Sequence, residues 1–130
     1  MSAVDRVQFS TGAAVGADGV ATATGYSTPI AGEVLAVHVA YLDTPPAATT
    51  DFTLQDESDP AAENIVNLVN AATNAKHYVR RITAASTGFG ITYNGTQPVY
   101  EPYVVCGRLK ATIAQANAGD SVTVTVWYRR

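Results

Sequence analysis

The strongest pattern in the chain is a strict alternation close to its C-terminus. Val122, Val124, Val126 and Tyr128 fall on one face of an extended segment, and Ser121, Thr123, Thr125 and Trp127 on the other. A period of two in β-branched residues predicts a strand with one buried face. The preceding segment repeats the theme, with Leu109, Ala111 and Ile113 set against Arg108, Lys110 and Thr112. Asn117-Ala-Gly-Asp120 between them has the composition of a turn.

The same reading extends upstream. Val4–Phe9 is a candidate strand with Val7 and Phe9 on one face, and Val20–Thr24 is a strand of small residues. Gly25–Pro29 reads as a turn or bulge. From Ile30 to Tyr41, Leu35, Val37, Val39 and Tyr41 alternate with a second, also fairly apolar face, which predicts a central strand covered on both sides. Residues 43–50 read as a loop, because consecutive prolines cannot donate ladder hydrogen bonds. Phe52 and Leu54 mark another strand, and residues 56–60 an acidic turn. Residues 61–76 are ambiguous. Ile65, Leu68, Val69 and Ala72 have helical spacing behind Asp59-Pro60, but the asparagines at 64, 67, 70 and 74 are poor helix formers, so a strand at Ile65–Val69 is preferred. His77–Thr83 reads as one strand, and Phe89–Tyr93 and Pro98–Pro102 flank an Asn94-Gly95 turn.

These elements sum to about eight short strands and at most one helix. The fold class expected is an all-β, antiparallel, jelly-roll-like β-sandwich in a single domain. Residues 26–130 form that sandwich, and residues 1–25 are an N-terminal arm or its first strands. An immunoglobulin-like sandwich is the competitor, but it places a Trp in an early-middle strand, and the single Trp here is Trp127.

Composition narrows the function classes. With 130 residues the chain is long enough to bury a core, yet much of its 47% hydrophobic content is Ala. A net charge of −3 argues against a nucleic-acid partner. The pairs Arg80-Arg81 and Arg129-Arg130 then read as a solvated edge or subunit ion pairs. No apolar run reaches membrane-spanning length, so no membrane partner is expected, and the first residues lack a signal-peptide core. Cys106 is the only cysteine, which fits a reducing compartment, and its apolar neighbours predict a packed structural thiol.

Catalytic and metal-binding patterns are missing. His38 and His77 have no ligand partner at i+2 or i+4, and no serine lies in a nucleophile elbow. Asp51, Asp56, Glu57 and Asp59 lack the ligand order of a calcium loop and read as a solvated acidic loop. Neither a metal nor a cofactor is expected, and an enzyme is disfavoured. The aromatic residues point elsewhere. Phe89, Tyr93, Tyr100 and Tyr103 crowd one short stretch with Pro98 and Pro102. Tyrosine suits protein interfaces and sugar platforms alike, so these four residues, with Arg80 and Arg81, are the candidate interface. A loop packed over one end of the sandwich is the equal alternative.

Taken together, Gly32–Leu42, Lys76–Arg81, Gly107–Ile113 and Ala118–Tyr128 resemble the jelly-roll decoration (cement, or head auxiliary) proteins of tailed-bacteriophage capsids. The likeness covers most of residues 30–130 as a style of sequence, and no single motif carries it. It implies a homotrimer made in the host cytoplasm and seated on the outer capsid surface, with the major capsid protein and copies of itself as partners. It implies no catalytic residues. A carbohydrate- or receptor-binding β-sandwich module is the alternative function.

Overall fold

A computed structural model of the chain describes residues 3–42, 46–82, 90, 95–97 and 99–130. Among these the regular structure is entirely β. In chain order the strands are β1 (Val4–Ser10), β2 (Ala21–Tyr26), β3 (Ile30–Tyr41), β4 (Asp51–Asp56), β5 (Asn64–Leu68), β6 (Ala75–His77), β7 (Arg81–Ile82), β8 (Tyr100–Glu101), β9 (Tyr103–Gly107), β10 (Leu109–Ala116) and β11 (Val122–Arg129). One sheet has the order β1-β11-β3-β6, with β9 also on β3, and the other has the order β2-β10-β4-β5. All pairings in both sheets are antiparallel. Strands therefore cross from sheet to sheet, and the last two insert between earlier ones. That is the connectivity of a jelly roll.

The alternation near the C-terminus places β11 at the centre of the first sheet. It pairs with β1 from Val4↔Arg129 to Ser10↔Thr123 on one side, and with β3 on the other. Val122, Val124 and Val126 have 0% exposure, and Leu109, Ala111 and Ile113 of β10 face them from the second sheet's side of the core. Phe52 and Leu54 of β4 are fully buried in the same cluster, with Val7 and Phe9 of β1 packed against it. Residues 4–10 and 21–25 thus contribute to strands of both sheets. Between residues 61 and 76 the structure has the strand β5. The two Ile65-Val66 side chains of that strand are both buried.

Three local expectations change. Leu35 does not share the inner face with Val37, Val39 and Tyr41. Trp127 pairs with Ala36 and Tyr128 with Val34, so Leu35 is an extra residue, and the bulge switches the buried position to Val34. Gly25 is no turn but part of β2. A Cβ there would lie 2.0 Å from the Ser10 carbonyl oxygen, so only glycine lets the end of β1 cross so closely. The strand expected at His77–Thr83 is broken. β6 pairs with β3 over residues 75–77, β9 takes the same edge at Ile30–Val34, and between them the chain leaves the sheet to form the β7-β8 ribbon.

Replacing Val124 with Asp places an unpaired carboxylate between the sheets. It is expected to cost roughly 3–5 kcal/mol, read as a fall in the urea midpoint. A cooperatively folded variant with an unchanged midpoint would show that the valine face is not the inner one.

Candidate contact surfaces

Residues 11–20, 42, 46–50, 69–74 and 117–121 meet at one end of the roll, and backbone hydrogen bonds tie these connections together. The Ala14 amide donates to the Asp120 carbonyl at 2.7 Å, Gly119 to Ala14 at 2.9 Å, Leu42 to Ser121 at 3.0 Å and Ala71 to Thr50 at 2.8 Å. The buried Asp120 carboxylate anchors this end by accepting from the Asn117 amide at 2.9 Å and the Ala47 amide at 3.2 Å. A carboxylate satisfied by backbone N–H groups holds loops more firmly than neutral bonds do. On this tied scaffold four large aliphatic side chains face solvent: Val15 at 80% exposure, Val20, Val69 and Leu42 at 61%. Single exposed aliphatics are ordinary, but four on the linked loops of one end make a candidate contact surface. Sequence reasoning missed them. Their signal was a large aliphatic set inside stretches rich in Gly, Asn and Ala, where no strand pattern accounts for it.

The candidate interface lies elsewhere, along the β7-β8 ribbon. Phe89 and Tyr93 fall outside the described residues. Arg80, Arg81, Tyr100 and Tyr103 are brought together, lining a shallow depression with Glu63. Each has a distinct setting. The Arg81 Nη1 donates to Glu101 Oε1 at 2.9 Å, and its Nε lies 3.8 Å from Glu63. Arg80 Nη1 donates to the carbonyl of the bulged Leu35 at 3.1 Å and to that of Val79 at 2.7 Å, so this arginine tethers the excursion to the sheet. Tyr100 is exposed, whereas Tyr103 packs against the core. Burial pushes the Tyr103 hydroxyl above its ordinary pKa, and nearby Glu63 adds to the rise while Arg81 opposes it. An adjoining cleft of about 250 Å³ is lined by Glu33, Glu63, Arg81, Glu101, Tyr103 and Val104 among others.

The acidic turn proves to be a structural device. Asp59 accepts from the Ala61 amide at 3.0 Å and the Glu63 amide at 3.3 Å, and Asp51 from Asn70 at 3.0 Å. Glu57 forms a two-point ion pair with Arg108, whose guanidinium stacks 4.0 Å from the Tyr26 ring centre. Asp56 accepts from the Cys106 amide at 3.0 Å, the Ser58 amide at 3.0 Å and the Ser58 hydroxyl at 2.7 Å. Burial alone would raise the Asp56 carboxyl, but these three bonds outweigh it and hold it below its usual 3.8. No group of three or more His, Cys, Asp or Glu that could hold a metal ion occurs among the described residues. His38 lies beside Lys76 and Thr125 across the first sheet, and His77 opposite Val37.

Cys106 corrects the sequence reading. On β9 it is Val105 that points into the core, so Cys106 is exposed on the opposite face. Apolar neighbours in a strand do not bury a residue when the alternation assigns it outward.

No protein-family model matches the chain, and no curated protein matches it in sequence. In structure it is similar to a chain from the crystal structure of the Aeromonas sobria serine protease in complex with the chaperone ORF2. That likeness has 9% identity and a TM-score of 0.47, and covers 98% of this chain and 27% of the other. It is also similar to a mutant VP2 protein of infectious bursal disease virus, at 14% identity and a TM-score of 0.35 over 95% of this chain and 31% of that one. A third likeness is to a virus-like particle of the extra small virus of the giant freshwater prawn Macrobrachium rosenbergii, at 16% identity and a TM-score of 0.28 over 97% and 79% of the two chains. The chain spans about a quarter to a third of the length of the first two. With TM-scores below 0.5, these likenesses carry no functional conclusion.

Two outcomes follow from the geometry around β9. The lowered Asp56 carboxyl contributes stability above its unfolded value of 3.8 and loses it as pH falls through the lower folded value. Urea midpoints measured between about pH 2 and 6 should show Asp56→Asn less stable than wild type at the upper end and equal to it at the lower. A gap independent of pH would remove the charge from the explanation. Cys106, being exposed, should react with a thiol reagent at nearly the same rate in the native chain as in denaturant. A native rate many-fold slower would return it to the core.

Proposed function

We propose that this protein is a virion structural protein that decorates and stabilises the outer surface of a phage capsid, as a homotrimer, and performs no turnover. The observation that carries the reading is the tied loop end, where Val15, Val20, Leu42 and Val69 stand exposed on loops locked through Asp120 and its neighbours. A rigid apolar surface loses little conformational entropy when it docks, which suits a protein that must add cohesion to a shell. The jelly-roll topology and the sequence resemblance to phage decoration proteins support the same reading. Several copies bound side by side would multiply weak contacts into a strong one.

A second reading, a carbohydrate- or receptor-binding module, is favoured by the cleft beside the β7-β8 ribbon. There Tyr103 and the charged side chains of Arg81, Glu63 and Glu101 converge, with the exposed Tyr100 ring next to them. Aromatic rings with polar tips and fixed charges are what a sugar requires.

Mixing the purified protein with expanded phage capsid shells tests the first reading. Co-sedimentation and a raised shell melting temperature are expected, with Leu42→Asp/Val69→Asp weakening binding by at least tenfold while leaving the protein's own melting unchanged. Failure to bind any shell, with selective retention on a glycan array that Tyr100→Ala abolishes, would replace it with the second.

A further inference from the structure

The outer face of the first sheet gathers cations and aromatic rings. Because Val126 and Val37 point inward, register places Arg6, Trp127 and Ala36 side by side on the outer face, with Gln8, Thr125, His38 and Lys76 forming the next row. The Lys76 ammonium lies 4.3 Å from the centre of the Trp127 ring and 5.2 Å from that of Tyr78, so one cation bridges two aromatic rings. Tyr78 is 70% exposed, while Ala36 and Thr125 beneath are buried, the latter accepting from Gln8 Nε2 at 3.0 Å. Arg129 stands at the end of this face, opposite Glu33. In a chain of net charge −3, this is a plate of cations and aromatic rings, with Glu33 at its end. Trp, Tyr and Arg are the side chains that anchor protein interfaces, and the plate holds all three.

Its electrostatic complement is on the same chain. The turn from β4 to β5 carries Asp56, Glu57, Asp59 and Glu63 within eight residues; Glu57 is paired with Arg108 and Glu63 lies beside Arg81, whereas Asp56 and Asp59 accept from neutral amide and hydroxyl groups and keep their charge. It sits at the β9 edge of the sheet, where Ser58 Oγ donates to the Cys106 carbonyl at 2.7 Å and Asp56 accepts from the Cys106 amide. A turn at the edge cannot fold over its own sheet face, but it can reach the face of a neighbour. Two complementary surfaces at different places on one molecule make a head-to-tail contact, and such contacts close into rings when the rotation between copies allows.

We infer that the Arg6–Trp127–Lys76–Tyr78 face docks a second copy of this chain, receiving that copy's acidic 56–63 turn. This deepens the trimer element of the proposed function and rests on it. The contact joins desolvated aromatic rings to opposite charges, which gives it both affinity and a fixed register. Removal of the cations breaks it, and salt weakens it.

The test is sedimentation of the full chain at low ionic strength and at about 0.5 M salt, where screening reaches within a few ångströms. The wild type is expected to be trimeric at low salt, with at least tenfold weaker association at high salt and a shift in the emission of Trp127, the single tryptophan. Arg6→Glu/Lys76→Glu should be monomeric yet still unfold cooperatively, since both side chains are exposed. Adding Asp59→Lys to that variant should restore association. A double variant as trimeric as wild type would overturn the inference. So would a wild type that stays monomeric at low salt, including one whose Trp127 emission responds only to an anionic polysaccharide. Shell binding separates this inference from the decoration reading: a wild type that forms the salt-sensitive trimer but binds no shell overturns only the latter, and a charge-reversed variant that stays trimeric and binds shells overturns only the former.

Discussion

The structure depends on β11 being hydrogen-bonded on both sides. Its ladder to β1 and its ladder to β3 hold three valines at zero exposure against β10 and β4 of the other sheet. Because β1 comes first in the chain and β11 last, this pairing closes the roll. It also sets everything outside. Once Val122, Val124 and Val126 face in, Trp127, Thr125 and Thr123 face out, and the outer plate with Lys76 and Arg6 is determined. A one-residue slip would exchange the two sets, so burial of the valines specifies the surface as well as the core.

Polar groups confirm that the loops are part of the same construction. At one end Asp120 collects backbone amides from two connections, and at the β9 side Asp56 does the same for Ser58 and Cys106. Each carboxylate replaces water for donors that the ends of strands leave without a ladder partner. Acidic residues that look like candidate ligands in sequence are thus engaged in holding turns. Among the described residues, large apolar or aromatic side chains stand exposed at Val15, Val20, Leu42 and Val69 of the loop end, and at Tyr78 and Tyr100 near the excursion.

Most of the sandwich was legible because one-face burial imposes a period of two, and the chain obeys it at Val122–Val126, Leu109–Ile113 and Phe52–Leu54. The strand at residues 64–68 was legible despite its helical spacing, because β-branched Ile65-Val66 lies among asparagines that disfavour a helix. The candidate interface was readable only as a composition. Tyr100, Tyr103, Arg80 and Arg81 share one surface because β7 and β8 pair, and a two-residue ribbon leaves no periodic signal.

The sequence by itself determined the fold class and the inward set of β4, β10 and β11. Tertiary structure alone decided the exceptions. A bulge at Leu35 exchanged inner and outer positions in β3, since its cause is a mismatch with a partner strand about ninety residues away. Gly25 was required by the close passage of the Ser10 carbonyl. Cys106 turned outward because the register of β9 on β3 gives the inner place to Val105. In each case the deciding contact joins residues far apart in the chain, and local pattern carries no record of a neighbour that only folding supplies.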